Sequence, residues 1–146
     1  MLINEVMTRY PAYCRPDDSL ESVAKLMRER DCGVIPVCQG RKVVGVITDR
    51  DITCRGVAGG RNASKVTVSE IMTSPVYCVH AYDDVQAAVD LMEEKQVRRL
   101  PVLDEDDDLV GIVAPSDLAP MFASTNVADF LLAVSYWTRK PIAAAV

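Results

Sequence analysis

At 146 residues the chain has the length of one domain with a sizeable core, and its 49% hydrophobic and 25% charged content is that of a folded globular protein, which excludes disorder. A net charge of −5 without clustered Lys and Arg argues against nucleic acid as a partner, and the longest apolar run, Ala128–Trp137, carries Asp129 and falls far short of the about 20 residues of a membrane-spanning helix. Met1–Tyr10 carries Glu5 and lacks the basic-then-apolar order of a secretion signal, so a cytoplasmic location is expected. The five cysteines (Cys14, Cys32, Cys38, Cys54, Cys78) form no Cys-x-x-Cys pair and His80 is the one histidine; zinc-ligand spacing is absent, and reduced, buried thiols are expected.

In chain order, Val6-Met7-Thr8 comes first, then Leu20, Val23, Ala24 and Met27 at helical spacing, with Asp18 and Glu21 placed as a capping box. A short strand Val34–Cys38 follows, its Pro36 suggesting an edge or a bulge. After the Gln39-Gly40 turn, Val43–Ile47 is apolar enough to be a buried strand, and a helix is expected to start at Thr48. The same series then recurs. Ile71-Met72-Thr73 is followed by a helix carrying Val85, Ala88, Val89 and Met92 behind Asp83 and Gln86, a strand Leu100–Leu103 with Pro101, an acidic turn Asp104–Asp108, a strand Leu109–Val113 and a helix start at Ser116. The shift is 65 residues as far as Leu100-Pro101-Val102 and 66 from Val110-Gly111 onward, so the second copy has one extra residue, most simply in its acidic turn. Four matched blocks in one order mark an internal duplication. Beyond it, Val127, Phe130, Leu131, Val134 and Trp137 fall on one face of an amphipathic helix, expected to pack on the body of the protein or across a dimer rather than on a membrane, Arg139 and Lys140 being the only basic residues near it.

The expected fold is α/β of the α+β kind: two βαββα-type repeats, residues 1–60 and 61–120, packed through their sheets about a pseudo-twofold axis, with a C-terminal helix in residues 121–146. The strings Gly45-Val46-Ile47-Thr48-Asp49-Arg50-Asp51 and Gln96-Val97-Arg98-Arg99-Leu100-Pro101-Val102, in this order within a duplication, resemble the tandem CBS (cystathionine β-synthase) domain, or Bateman module, of the stand-alone two-repeat type. The resemblance covers roughly residues 2–120. It implies clefts between the repeats that bind an adenosyl small molecule, AMP, ADP, ATP or S-adenosylmethionine, with no catalytic cofactor and no metal. It also implies a homodimer and leaves room for an unidentified protein partner under its regulation.

Carried over residue by residue, the resemblance makes Asp51 the ligand of the ribose hydroxyls and Thr48 a phosphate contact at a helix N-terminus. The same Thr-x-x-Asp spacing is also a good helix start in its own right. The second copy reads Ala114-Pro115-Ser116-Asp117: Asp117 keeps the carboxylate, the hydroxyl is lost unless Ser116 substitutes, and the two clefts should differ. Arg98 or Arg99 is the phosphate candidate, only one of them expected to face a given cleft because neighbours on a strand point to opposite faces. Ile35, Leu100 and the segments around Cys14 and Cys78 would flank the adenine, or serve only as core. No nucleophile–base pair or glycine-rich phosphate loop is present, so no enzyme activity is expected. Two other readings stay open: an interaction module with degenerate clefts and no ligand, and a thiol sensor using Cys14, Cys32 or Cys54.

Overall fold

The computed structural model describes residues 1–122 and 124–135. A short helix α1 (Ile3–Val6) leads to strand β1 (Thr8–Arg9), then helix α2 (Leu20–Arg30) and the strands β2 (Val34–Gln39) and β3 (Lys42–Thr48). A single turn α3 (Asp49–Asp51) runs into a π-helical stretch, Ile52–Val57. The second copy follows with α4 (Val68–Ile71), β4 (Val79–His80), α5 (Val85–Lys95), β5 (Leu100–Leu103), β6 (Leu109–Val113) and α6 (Pro115–Leu118), which continues as a 3-10 turn (Ala119–Met121) before α7 (Ser124–Ser135). The fold is mixed α+β, in two pseudo-equivalent halves with a C-terminal helix.

The leading segment of each copy is built into the other. Strand β1 pairs antiparallel with β6, so the four-stranded sheet runs β1-β6-β5-β4, with β4 parallel to β5. The first copy repeats the pattern in abbreviated form around the antiparallel β2–β3 pair: Cys14 bridges Val37 in parallel and Thr73, from the second copy, bridges Val46 antiparallel. Two cores result. Ile3 is buried with Val79, Met92, Leu100 and Leu118, while Val66, Val68 and Ile71 are buried with Leu20, Ile35 and Ile47.

The repeated Val-Gly and Met-Thr blocks are the two sides of this exchange. A Cβ at Gly45 would lie 2.7 Å from Met72 Sδ and 3.0 Å from the Thr73 carbonyl oxygen, and one at Gly111 would collide with Met7 Sδ and stand 3.1 Å from the Thr8 carbonyl. Each glycine leaves the room that the other copy's methionine occupies.

Several expectations are corrected. The caps of α2 and α5 are Ser19 and Asp84, accepting from the Ser22 and Gln86 amides, whereas Asp18 and Asp83 accept from the Arg15 and His80 amides and close the turn just before each helix. Pro101 does not mark an edge: β5 is interior, and its pairing with β4 begins at Val102, past the residue that lacks an N–H. Bulges follow both prolines, at Val37/Cys38 and Val102/Leu103. The second helix start is Pro115 rather than Ser116, proline being suited to the first helical position. Of the predicted α2 face, Leu20, Val23 and Met27 are buried but Ala24 is exposed. Its counterpart Val89 shares a core with Phe130 and Val134 of α7, a helix the first copy lacks. On α7 itself Leu131 is 41% exposed, so the buried stripe is Phe130 and Val134 with Val127 beside them. Trp137, Arg139 and Lys140 lie outside the described residues.

Candidate ligand cleft between the repeats

The ends of β2 and β3 and the loop entering β5 enclose a cleft of about 680 Å³, within the range of about 300–1,000 Å³ usual for small-molecule sites. Thr48, Asp49, Arg50 and Asp51 contribute one wall, with Gly33, Val34 and Val46 beside them; Gln96, Val97, Arg98 and Arg99 come from the second copy, joined by Thr73 and by Val134 of α7.

Thr48 and Asp51 are arranged by the helix start. The Thr48 hydroxyl accepts from the Asp51 amide at 3.0 Å and Asp51 Oδ2 accepts from the Thr48 amide at 3.0 Å, a reciprocal capping box. Asp51 Oδ1 pairs with Arg55 Nη2 at 3.0 Å, and the Asp51 side chain is only 12% exposed. Arg55 also donates through Nε to the Ile71 carbonyl at 3.0 Å and reaches Thr73 Oγ1 at 3.2 Å, which ties the exchanged segment to this wall. A carboxylate has about four acceptor positions, so Asp51 keeps capacity for a further donor, and the Thr48 hydroxyl keeps its proton free to give.

Arg98 and Arg99 both line the cleft. The strand argument that would separate them does not apply, because β5 begins only at Leu100 and the two arginines stand in the loop before it. Arg99 Nη1 donates to the Arg98 carbonyl at 2.9 Å, both side chains are exposed, and neither is ion-paired with a carboxylate among the described residues.

The remaining candidates lie elsewhere. Ile35 and Leu100 are each 0% exposed and belong to the two cores. Cys14 is buried in the first core, where burial, with Asp18 and Cys38 nearby, pushes its thiol up to about 12; burial likewise raises Cys38 and Cys78 to about 11. Such thiols are poor nucleophiles at neutral pH, which counts against Cys14 as a sensor; contrary to the expectation of buried thiols, Cys54 is exposed and Cys32 half-buried. Ser116 is exposed, and Asp117 Oδ2 accepts from the Ala114 amide at 2.8 Å; neither lines this cleft. Lining residues not proposed as ligand contacts from the sequence are Gly33, Val34, Val46, Asp49, Arg50, Thr73, Gln96, Val97 and Val134. Thr73 and Gln96 stood inside repeated or family-like strings, but their place in the cleft depends on segment exchange and on a helix–loop junction.

No helix among the described residues is long and apolar enough to cross a membrane, and no three His, Cys, Asp or Glu side chains among them are grouped to hold a metal.

A family model for the CBS domain matches residues 3–55 and 68–123. Hypoxic response protein 1 of Mycobacterium tuberculosis is 36% identical over 118 residues, covering 80% of this chain and 82% of the relative. The CBS domain-containing protein YhcV of Bacillus subtilis is 37% identical over 117 residues, with the same coverage of 80% and 82%. Among solved structures, Hypoxic Response Protein I with two coordinated zinc ions superposes with a TM-score of 0.77 at 34% identity, covering 84% of this chain and 100% of that one. The CBS domain pair of protein MJ0100, in complex with 5′-methylthioadenosine and S-adenosyl-L-methionine, gives 0.74 at 27% identity, covering 84% and 95%. With two family matches lying one on each copy of the duplication, and relatives built of the same pair, this chain belongs to the CBS domain family as a tandem CBS protein.

Proposed function

We propose that the protein is a non-catalytic, cytoplasmic regulatory module that binds an adenosyl ligand in the cleft between its repeats. The observation that carries this reading is the convergence, in one cleft, of Thr48 and Asp51 from the first copy with two exposed arginines of the second that have no carboxylate partner among the described residues. A guanidinium pair of this kind suits an anionic group on the ligand, and Asp51 suits its ribose hydroxyls. The adenosyl compounds held by the CBS pair of MJ0100 support the same ligand class. Because the cleft has Thr48 on one side only, one ligand per chain is expected in it. Calorimetric titration with AMP, ATP and S-adenosylmethionine tests the reading: at least one should bind at a stoichiometry near one, and Arg98→Ala with Arg99→Ala should weaken an anionic ligand by about tenfold or more.

A second reading, an interaction module without ligand, is favoured by the fact that Thr48 and Asp51 already have complete structural work in the capping box and the Arg55 pair. It predicts no heat from any of these compounds. In either reading we infer a homodimer, since Tyr10, Tyr13, Leu131 and Leu132 leave apolar surface exposed. Light scattering should return about 32 kDa, twice the 16.0 kDa chain; a monomer at micromolar concentration would contradict it.

A further inference from the structure

Arg55 stands behind the cleft rather than in it. It belongs to the π-helical stretch Ile52–Val57, an irregularity frequent at functional sites, and is not one of the lining residues, yet its guanidinium reaches a lining residue from each copy. Nη2 pairs with Asp51 Oδ1 at 3.0 Å, Nε and Nη2 both donate to the Ile71 carbonyl, and Nη2 also lies 3.2 Å from Thr73 Oγ1. Thr73 in turn exchanges two backbone bonds with Val46, at 2.8 and 3.1 Å. Serving a carboxylate, a carbonyl and a hydroxyl at once is work for a planar fork of donors and not for a single ammonium.

The consequence falls on Asp51. Its carboxylate has two protein partners, one to each oxygen: the Thr48 amide on Oδ2 and Arg55 on Oδ1. Two such bonds fix the plane of the group and so the directions of its remaining lone pairs, whereas one bond leaves it free to turn. The second copy separates this task from helix capping. At the shift of 66 the residue matching Arg55 is Met121, and Asp117 holds its helix start through the Ala114 amide with no basic partner among the described residues. A guanidinium is therefore not required by the helix start itself. We propose that Arg55 is a positioning residue, which holds the Asp51 carboxylate in the orientation that receives the ribose hydroxyls while making no ligand contact of its own. The inference rests on the adenosyl reading above and deepens it, since that reading names Asp51 and leaves open what aims it.

The test measures how strongly the cleft distinguishes ribose from deoxyribose, using calorimetry on the full chain with AMP and 5′-methylthioadenosine, each against its 2′-deoxy form. The wild type should prefer the ribose form of whichever compound it binds by roughly tenfold or more, as befits a hydroxyl donating to a carboxylate. Arg55→Gln keeps a donor for the Ile71 carbonyl but removes the cation beside Asp51, and should reduce that preference to about threefold or less. Arg55→Lys keeps the cation and gives up the fork, and should retain most of the preference while melting at a lower temperature than the wild type. The Arg55 side chain is about half exposed, so both variants should fold, and their melting curves report it. A purely structural tie to Ile71 would weaken ribose and deoxyribose forms alike. An unchanged preference in Arg55→Gln, or its loss in Arg55→Lys as well, overturns the assignment of Arg55. So does a wild type that binds both sugar forms equally, and each of these results leaves the adenosyl reading standing; a wild type that binds neither AMP nor 5′-methylthioadenosine overturns both.

Discussion

Asp51 does two things at the residue scale, and a single substitution mixes them. Removing its carboxylate deletes half of the capping box and the Arg55 partner, a structural cost of about 0.5–2 kcal/mol by analogy with other caps. Losing a charged acceptor for ribose hydroxyls should cost about 1.5–3 kcal/mol of binding, roughly 10- to 100-fold in affinity. Asp51→Asn separates the two effects, since its amide oxygen still accepts from the Thr48 amide. The expected outcome is a smaller loss of thermal stability than in Asp51→Ala, because the capping bond is kept while the Arg55 pair is lost, with adenosyl affinity reduced toward that of Asp51→Ala, measured by melting and by calorimetric titration; Asp117→Ala should change the affinity of this cleft much less. Thr48 and Asp51 were legible from their spacing as a helix start, and as ligand contacts only through the family resemblance. Arg98 and Arg99 were legible as candidates, but their joint presence in one cleft was not, because it turns on where β5 begins.

At the scale of elements, the exchange of leading segments makes two glycines indispensable. Gly111→Ala drives a methyl into Met7 Sδ and toward the Thr8 carbonyl, and because the second obstacle is backbone, only part of the clash is relieved by side-chain movement. The expected cost is about 1–3 kcal/mol in urea unfolding, with the double variant Gly111→Ala, Met7→Ala recovering part of it if the contact is the one described. Gly45→Ala and Met72 should behave in the same way in the other half. The helices were readable from periodicity, yet Ala24 and Leu131 were assigned to buried faces they do not occupy. Periodicity gives the phase of an apolar stripe, whereas its width depends on which neighbour covers it, and α7 packs against α5.

For the molecule as a whole, the buried thiols of Cys14 and Cys38 and the half-buried thiol of Cys78 set an alkaline limit. Cys14 ionises at about 12 and Cys38 and Cys78 at about 11 in the folded chain, against 9.0 for an exposed thiol, so below about pH 9 they are protonated in both states and leave stability unchanged. Above that, the unfolded chain loses these protons first, and stability should fall as pH rises from about 9 toward 11 to 12. Melting temperatures taken across that window should show the decline, with a shallower slope in Cys14→Ala than in the wild type. A flat profile would mean that these thiols are not shielded from water in solution.

The duplication, the α+β class, the strands β2, β3, β5 and β6 and the Thr48–Asp51 helix start were determined by the sequence itself, because repeated blocks, apolar periodicity and helix-start chemistry are local properties that survive without knowledge of neighbours. What only the tertiary structure decided is which copy each piece serves. Met7 and Met72 read as members of their own repeats and pack against the other, and Ile35 and Leu100, which the sequence left open as adenine-flanking or core, lie wholly within the cores. Contacts between residues as far apart as Thr8 and Ile112, or Val46 and Thr73, leave no periodic trace along the chain, so the pairing of β1 with β6 and of Thr73 with Val46, and the cleft that this pairing walls, follow from packing two apolar faces together rather than from any local pattern.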